Sequence, residues 1–447
     1  MAPTALAPLQ TTSELAHSGI KHILTKTAPS VIANGSSNPG INELDASKLV
    51  FTRNLSPHAV PEPDSPEVWT QQLCTDHMIL SLETCLESIY WVDTWTSTSG
   101  WAAPHLQPYG PLQLMPTASV LHYATECFEG LKFYRGDDLR LRLFRPTRNT
   151  QRMLNSATRI SLPAFDPDEL QKLIETLVAV DGEKWLPKSR PGTFLYLRPT
   201  MIATAAALGV QKPKEALLYI IACCFPSFDT PSGTAGPSGN VVQQSSKARP
   251  GLKLLASKED TVRAWPGGFG YAKVGANYGP SLIAQGEAKA RGFDQVLWLL
   301  GKDCDVTEAG ASNFFVVWRT GEGKLQLVTA PLDDKIILDG VTRRSVLELA
   351  RERLGGELEI VERKYTMGEV KNAAEEGRLL EAFATGTAFF IASVSSIHFR
   401  GKSLGIPMSE GVTGKYAAIL KTHLANIMYG REDHEWGVVV NERQFDA

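Results

Sequence analysis

The sequence predicts a mixed α/β fold in two domains. Its 447 residues exceed what one hydrophobic core usually fills. Short apolar runs typical of strands alternate with amphipathic stretches typical of helices. A segment near mid-chain is rich in Pro, Gly and Ser, which is typical of an interdomain linker. A cleft between two domains is a natural place for a functional site.

The elements follow from the spacing of apolar residues. Residues 341–354 and 413–427 predict helices because their apolar positions recur on one face. The Gly355-Gly356 pair predicts the end of the first helix. Short apolar runs predict strands at 194–198, 217–224, 296–300, 314–318, 325–329 and 358–361.

Composition shifts divide the chain. We expect a disordered tail over 1–50, a small domain over 51–223, a linker over 224–252 and a large domain over 253–447. The tail has no arginine and includes acidic residues, whereas a mitochondrial transit peptide is Arg-rich and acid-poor. We therefore expect a cytoplasmic protein, with a mitochondrial location as the alternative.

Composition also limits the partners. Charged residues make up 21% of the chain and the formal net charge is −3, which favours neither a nucleic acid nor a membrane partner. The six cysteines include no CxxC pair and no regular spacing, so we expect no disulfide framework and no metal site. A reducing compartment fits this pattern best.

A lysine lies in a segment of small residues, GGFGYAKVGANYG, at position 273. Small residues permit close approach of the backbone to a ligand. A desolvated lysine amine, or one beside another cation, loses its proton more readily and becomes a nucleophile toward an aldehyde. The alternative is a surface lysine on a glycine loop, which the segment alone fits better. No Walker loop is present here, since no GK[ST] follows the glycines.

Two further segments could bind an anion. Asp339-Gly340-Val341-Thr342 opens a predicted helix, whose free N–H groups and dipole favour negative charge. Thr385-Gly386-Thr387-Ala388 precedes an apolar run and offers hydroxyl and backbone donors. An ordinary capped surface helix and an ordinary turn are the alternatives, and each segment alone fits them better.

Single polar residues add weaker signals. Glu308 follows one predicted strand and precedes the next, where it could hold a pyridine nitrogen protonated or be a solvated turn acid. The hydroxyls of Tyr123, Tyr196 and Tyr278 could reach a polar ligand, although tyrosines are also common in cores. None of these residues decides the function alone.

Together the residues resemble the eukaryotic branched-chain aminotransferases, pyridoxal 5'-phosphate (PLP) enzymes of fold type IV. The resemblance runs from Thr75-Asp76-His77-Met78 to Tyr429-Gly430. It rests on the blocks LHYATECFEGLKFYRG (121–136), LRLFRP (141–146), LYLRP (195–199), RAWPGG (263–268), KVGANYG (273–279), QVLWL (295–299), VTEAG (306–310), LDGVTRR (338–344) and TGTA (385–388). It implies a small α/β domain and a larger, barrel-like PLP-binding domain.

The resemblance implies roles around the cofactor ring. Lys273 would form the Schiff base to PLP and act as general acid–base of the proton shift. Glu308 would pair with the pyridine nitrogen and keep the ring an electron sink. Tyr278 would hydrogen-bond the phenolic oxygen of the ring.

The same carry-over places the cofactor phosphate. Arg152 would grip it with its guanidinium. The backbone N–H groups of Val341 and Thr342 and the hydroxyl of Thr387 would complete the anion site.

Substrate contacts are implied as well. Tyr123 and the backbone at Thr387-Ala388 would receive the α-carboxylate, with Arg198 organising the hydrogen bonds around it. The apolar side-chain pocket would be lined by Phe128, Tyr196 and, from the neighbouring subunit, Leu208 and Val210. The resemblance thus implies a homodimer.

Some positions depart from the family pattern. Cys74 stands where a pocket phenylalanine is usual, so the pocket could be larger, and Ala311 replaces a threonine that is frequent near the cofactor. Phe228 is the candidate to replace a pocket tyrosine. The CxxC of some animal members is absent, because Phe389 and Ala392 occupy its places, and no thiol switch is expected there.

The function expected is transfer of the amino group between leucine, isoleucine or valine and 2-oxoglutarate. The resemblance implies a ping-pong reaction through pyridoxamine phosphate. Two rivals remain. One is a specialised paralogue acting on an unusual aliphatic or aromatic amino acid, and the other is a non-catalytic PLP-binding protein.

Overall fold

The computed structural model describes residues 41–63, 65–81, 95–226 and 251–442. The first part of the chain contains β1 (Val50–Phe51), α1 (Pro66–Trp69), β2 (His77–Ser81), β3 (Trp95–Thr96), β4 (Gly100–Trp101), β5 (Pro104–Pro108), α2 (Val120–Tyr123), β6 (Glu126–Phe128), β7 (Leu131–Arg135), β8 (Leu141–Phe144), α3 (Pro146–Arg159), α4 (Pro167–Trp185), β9 (Phe194–Ala203) and β10 (Glu215–Cys223).

The second part contains β11 (Leu252–Ala256), α5 (Leu282–Ala290), β12 (Gln295–Leu300), β13 (Asp305–Ala309), β14 (Ser312–Arg319), β15 (Leu325–Thr329), α6 (Val341–Leu354), β16 (Glu359–Glu362), α7 (Met367–Glu375), β17 (Leu379–Gly386), β18 (Phe390–Phe399), β19 (Lys402–Gly405), α8 (Lys415–Met428) and β20 (Gly437–Val440). Short 3-10 helices span Ala46–Lys48, Gly275–Asn277 and Gly279–Ser281. No described helix has the length and apolar character needed to cross a membrane.

The predicted elements are confirmed. The six expected strands lie at β9, β10, β12, β14, β15 and β16, and the two expected helices are α6 and α8. β9 is longer than expected and continues to Ala203. Its apolar run is interrupted by Arg198 and Pro199, and a proline donates no ladder hydrogen bond. The strand continues because β6 and β10 pair with its later residues.

A closed barrel forms the core of the second sheet. β13 pairs with both β12 and β14, which closes the ring β11, β12, β13, β14, β17 and β18. On β14, Phe314 and Val316 face the cluster inside the ring, while Phe315 and Val317 pack with α6 and α8. Because both faces are buried, this strand is continuously apolar over residues 314–318. The predicted barrel-like domain and mixed α/β class are confirmed.

The first sheet follows the order β1-β5-β2-β10-β9-β7-β8-β20, with β3, β4 and β6 paired at its sides. Its core packs against α3 and α4, whose buried residues include Met153, Leu173 and Leu177. β20 joins this sheet by antiparallel pairing with β8, although it lies near the end of the chain. The predicted division into domains stays a prediction, and β20 crosses its boundary.

The predicted tail over 1–50 includes residues that pack. Leu44 is buried, and the Ala46 amide donates to the Glu169 carboxylate of α4 at 2.7 Å. The Asp45 side chain caps the 3-10 helix that follows it. The tail can therefore extend no further than residue 40, since residues 41–50 belong to the packed part. Residues 1–40, and 227–250 of the predicted linker, lie outside the described residues.

Stability should depend on the packing between β14 and β17. Phe383 stacks on Phe315 with ring centroids 5.1 Å apart, and both side chains are fully buried. Phe383→Ala should cost roughly 3–5 kcal/mol, because it removes buried apolar surface and leaves a cavity. Thermal unfolding would measure this loss. Val412→Ala, at an exposed site, is the control, and an equal shift in both variants would contradict the packing role.

Candidate active site

A cavity of about 540 Å³ lies between the two sheets. Its walls come from β6, β9 and α3 on one side and from β13, β14, β17, the start of α6 and the 273–285 segment on the other. It brings together most of the predicted site residues: Phe128, Arg152, Tyr196, Arg198, Lys273, Tyr278, Glu308, Val341, Thr342, Thr387 and Ala388.

Lys273 is held in the cavity by its backbone. Its amide donates to the Ser156 hydroxyl of α3 at 2.8 Å, and its carbonyl accepts from the Phe128 amide at 3.0 Å. Its Nζ donates to the Tyr278 hydroxyl at 3.0 Å and lies 4.7 Å from the centre of the Phe128 ring. The surface-lysine alternative is therefore wrong, because the amine faces the cavity beside a phenol.

The glycines near Lys273 have a different use from the one predicted. A Cβ on Gly275 would collide with the Glu126 carboxylate, and one on Gly270 would collide with the Ile336 carbonyl. Neither glycine lines the cavity. These glycines let the segment pack closely against other parts of the protein. They do not serve to let the backbone approach a ligand.

Glu308 offers a buried acceptor. Its Oε1 accepts from the Leu338 amide at 3.0 Å and from Asn313 Nδ2 at 3.2 Å. Its Oε2 is buried and accepts no well-oriented hydrogen bond from the described residues, although Arg263 Nε lies 2.7 Å away. Burial raises the pKa of this carboxyl, while the charge of Arg263 opposes the rise. A cationic N–H in the cavity would satisfy Oε2.

Arg152 is positioned by a carboxylate that the sequence did not single out. Its Nε and Nη2 donate to the two oxygens of Glu129 at 2.7 and 2.8 Å, and its Nη1 donates to the Asp339 carbonyl at 2.9 Å. Burial is the largest single effect on both pKa values and opposes the charge, but the partner's charge and the hydrogen bonds together outweigh it. The pKa of Arg152 is raised and that of Glu129 lowered. The remaining guanidinium N–H groups are available to an anion.

The start of α6 adds backbone donors. Its N-cap is Gly340, and no side chain caps the helix. Val341 and Thr342 line the cavity, and the N–H groups of this first turn have no intrahelical acceptor, so they can bind an anion. The Thr387 hydroxyl donates to the Gly130 carbonyl at 3.2 Å. To donate to a phosphate as predicted, that hydroxyl has to turn away from Gly130.

The opposite wall combines aromatic rings with a cation. The Arg198 guanidinium lies 4.7 Å from the Phe128 ring centre and 5.3 Å from that of Tyr196. Its Nε is buried and has no hydrogen-bond partner among the described residues. The Ala388 carbonyl accepts from Lys132 Nζ at 2.9 Å, which fixes the Thr387-Ala388 backbone. This wall can receive a carboxylate beside an apolar group.

Three predicted substrate residues do not line the cavity of their own chain. The Tyr123 hydroxyl donates to the Leu208 carbonyl. Tyr123, Leu208 and Val210 are 38%, 58% and 87% exposed, so they are accessible on the surface of a single chain. Their roles stay predictions, and those of Leu208 and Val210 already require a neighbouring subunit.

Of the residues that depart from the family pattern, some line the cavity and others do not. Ala311 and Phe389 line the cavity. Cys74 does not line it and lies opposite Cys223 instead, so it gives no evidence of an enlarged pocket. Phe228 lies outside the described residues.

Sequence reasoning missed three residues of the site. Glu129 and Arg263 lay within blocks that carried the resemblance, but neither received a role. Asn313, which donates to Glu308 and to the Leu338 carbonyl, immediately precedes the apolar run of β14. A polar residue at the end of a buried strand was the available signal for it.

The residues fit PLP. The Glu308 oxygen that accepts no well-oriented hydrogen bond suits a protonated pyridine nitrogen, and the Lys273 amine suits an aldehyde. The start of α6, with Arg152, suits a phosphate.

Comparison with known proteins agrees with this fit. Residues 126–397 match the family model for amino-transferase class IV. The cytosolic branched-chain-amino-acid aminotransferase of Mus musculus is 42% identical over 415 residues, which cover 91% of this chain and 98% of the mouse protein. The mitochondrial one of Schizosaccharomyces pombe is 39% identical over 429 residues, covering 95% of this chain and 92% of that protein.

A solved structure adds the fold. The crystal structure of the branched-chain aminotransferase from the thermophilic archaeon Thermoproteus uzoniensis with norvaline is 25% identical, with a TM-score of 0.57. The match covers 75% of this chain and 96% of that one. With the family model spanning more than half of the sequence, the chain belongs to the branched-chain aminotransferases of the class IV aminotransferase family.

Proposed function

We propose that this enzyme, a PLP-dependent branched-chain-amino-acid aminotransferase, passes the amino group of leucine, isoleucine or valine to 2-oxoglutarate in a ping-pong reaction. The observation that carries the proposal is one cavity that holds an amine, a buried acid and an anion site. Relatives named for branched-chain amino acids support the donor class. The acceptor, 2-oxoglutarate, rests on the resemblance found in the sequence.

When bound, PLP supplies a ring that takes up the electrons of the substrate Cα–H bond. Glu308 would hold the pyridine nitrogen in its protonated form. Asn313 and the Leu338 amide hold one carboxylate oxygen, so Glu308 stays oriented. Arg152 and the start of α6 would hold the phosphate.

Lys273 moves the proton. Its amine removes the α-proton of the amino acid and returns it later in the same half-reaction. Tyr278 holds the amine by the hydrogen bond to its hydroxyl, and Phe128 lies beside the amine and limits its solvation. The backbone contacts with Ser156 and Phe128 keep the lysine in place while its side chain moves.

The substrate wall selects by shape. Phe128 and Tyr196 give an apolar surface for a branched side chain, and Arg198 with the Thr387-Ala388 backbone receives the carboxylate. In a homodimer, Leu208 and Val210 would complete the apolar pocket from the partner's surface. Tyr123, whose hydroxyl donates to the Leu208 carbonyl, would then reach the carboxylate from the same surface, which differs from the expectation for its own chain.

Relatives include cytosolic and mitochondrial proteins, and the Arg-free, acid-containing first 50 residues support a cytoplasmic location.

Lys273→Ala should abolish transamination of leucine, because Lys273 is the only lysine among the described residues that line the cavity. Steady-state turnover of the purified PLP-loaded variant measures this. Lys253→Ala, which removes an exposed lysine of β11, is the control and should keep its turnover. Substantial transamination by the Lys273→Ala variant would remove the lysine from the mechanism.

Glu129→Gln should weaken PLP binding by about tenfold, which corresponds to about 1.4 kcal/mol. A glutamine amide offers only one acceptor, so it cannot hold both Nε and Nη2 of Arg152. Titration of the apoenzyme with PLP gives the affinity.

Asp138→Asn is the matched control. It breaks a carboxylate pairing with both Nη atoms of Arg142, away from the cavity. We expect its PLP affinity to stay unchanged. Unaltered PLP binding by Glu129→Gln would contradict the positioning of Arg152 by Glu129. Tighter binding would show that the carboxylate competes with the phosphate.

A further inference from the structure

Two cysteines that the mechanism does not use face each other beside the site. Cys74 Sγ and Cys223 Sγ lie 2.8 Å apart, and both side chains are buried. The pair lies at the end of β10, where Cys74 forms an isolated antiparallel bridge with Cys223. Positions 389 and 392, where some animal members of the family have a CxxC, are not involved.

The backbone register suits a disulfide. The Thr75 amide donates to the Ala222 carbonyl and the Cys224 amide donates to the Leu73 carbonyl, each at 2.8 Å. These bonds flank Cys74 and Cys223, which makes them a non-hydrogen-bonded antiparallel pair. In such a pair the Cα atoms are about 4.5 Å apart, which lies within the range that disulfides span.

One of the two thiols is activated. A hydrogen bond from Cys223 lowers the pKa of Cys74 to about 7 in spite of burial, and the Tyr109 hydroxyl adds to the effect. The same coupling raises the pKa of Cys223. At neutral pH a large share of Cys74 is therefore thiolate, which is the nucleophilic form. Cys224, next in the chain, has its pKa raised by burial to about 12.

We propose that Cys74 and Cys223 are a redox modification site that closes to a disulfide when the protein meets a hydroperoxide. The Cys74 thiolate attacks a peroxide oxygen, the O–O bond breaks, and a sulfenic acid and hydroxide form. Cys223 sulfur then attacks Cys74 sulfur; the S–S bond forms as the S–O bond breaks. The Cys223 proton leaves with the departing oxygen as water. Two thiols and one hydrogen peroxide give one disulfide and two waters, and a dithiol reverses the change.

The bond would restrain one wall of the cavity. Cys223 is paired in register with Tyr196 of β9, and Phe225 stacks on the Tyr196 ring at 4.5 Å. Tyr196 lines the cavity. A link from Cys74 to Cys223 therefore fixes the strand end beside this wall. Its importance for substrate rests on the proposed function, whereas the formation of the bond does not.

The test counts thiols in the PLP-loaded enzyme before and after treatment with hydrogen peroxide, followed by denaturation and alkylation. The wild-type chain, with six cysteines, should lose two reactive thiols and regain them with dithiothreitol. Cys224→Ser should also lose two. Cys223→Ser should lose none by disulfide formation, because Cys74 then has no partner.

Thermal unfolding supplies a second readout. The disulfide spans 149 residues of sequence, so the oxidised wild-type enzyme should unfold several degrees higher than the reduced one. Peroxide should not raise the midpoint of Cys223→Ser.

An unchanged thiol count in the wild type, or an equal loss in Cys223→Ser, would overturn the proposal. So would an unchanged unfolding midpoint after disulfide formation. Neither readout depends on turnover, so failure of this site and failure of the proposed function can be told apart.

Discussion

The buried ion pair between Glu129 and Arg152 is the interaction on which the site depends. Each charge is removed from water, and a buried charge without its partner costs several kcal/mol, so the two have to occur together. Glu129 follows β6, Arg152 lies on α3, and the Asp339 carbonyl that also binds Arg152 belongs to the residue before the N-cap of α6. One guanidinium thereby joins the first sheet to the barrel side at the point where an anion is expected. The Ser156 hydroxyl, one turn after Arg152, accepts from Lys273 and donates to the Arg152 carbonyl.

The barrel supplies the buried acid of the site. Glu308, Asn313 and Thr385 lie near the ends of β13, β14 and β17. Burial raises the pKa of Glu308, so a bound cation would stabilise its charged form. The cavity thus combines an acid, an anion site and a lysine amine in one lining. A cofactor with a basic ring nitrogen, an aldehyde and a phosphate matches this combination. Transamination also needs a substrate wall, which Phe128, Tyr196 and Arg198 provide.

Local sequence patterns predict the parts of this fold that depend on neighbours in the chain. The continuous apolar run of β14 and the one-sided pattern of α6 are such cases, and both elements were predicted. The role of Glu129 depends on a partner on another element, and no local pattern indicates that partner. The pairing of Cys74 with Cys223 is also invisible locally, because the two residues are 149 positions apart and meet in an isolated antiparallel bridge beside the β2–β10 pair. The glycines near Lys273 were interpreted as places where a ligand approaches the backbone. The sequence shows that a glycine has no side chain, but it does not show whether a ligand or another part of the protein occupies the space. Tyr123 could be assigned only by resemblance, and a single chain leaves it on the surface.

Single-turnover reaction of the PLP-loaded enzyme with individual amino acids tests the account most directly. Leucine, isoleucine, valine, phenylalanine and D-alanine would be mixed separately with excess enzyme, and the cofactor absorbance followed over time. We predict a fast change with the three branched L-amino acids and slow or no change with the other two. Addition of 2-oxoglutarate should then restore the starting spectrum, since the acceptor completes the ping-pong cycle. A faster change with phenylalanine or D-alanine, or no change in spite of bound PLP, would contradict the assignment of this cavity to branched-chain transamination.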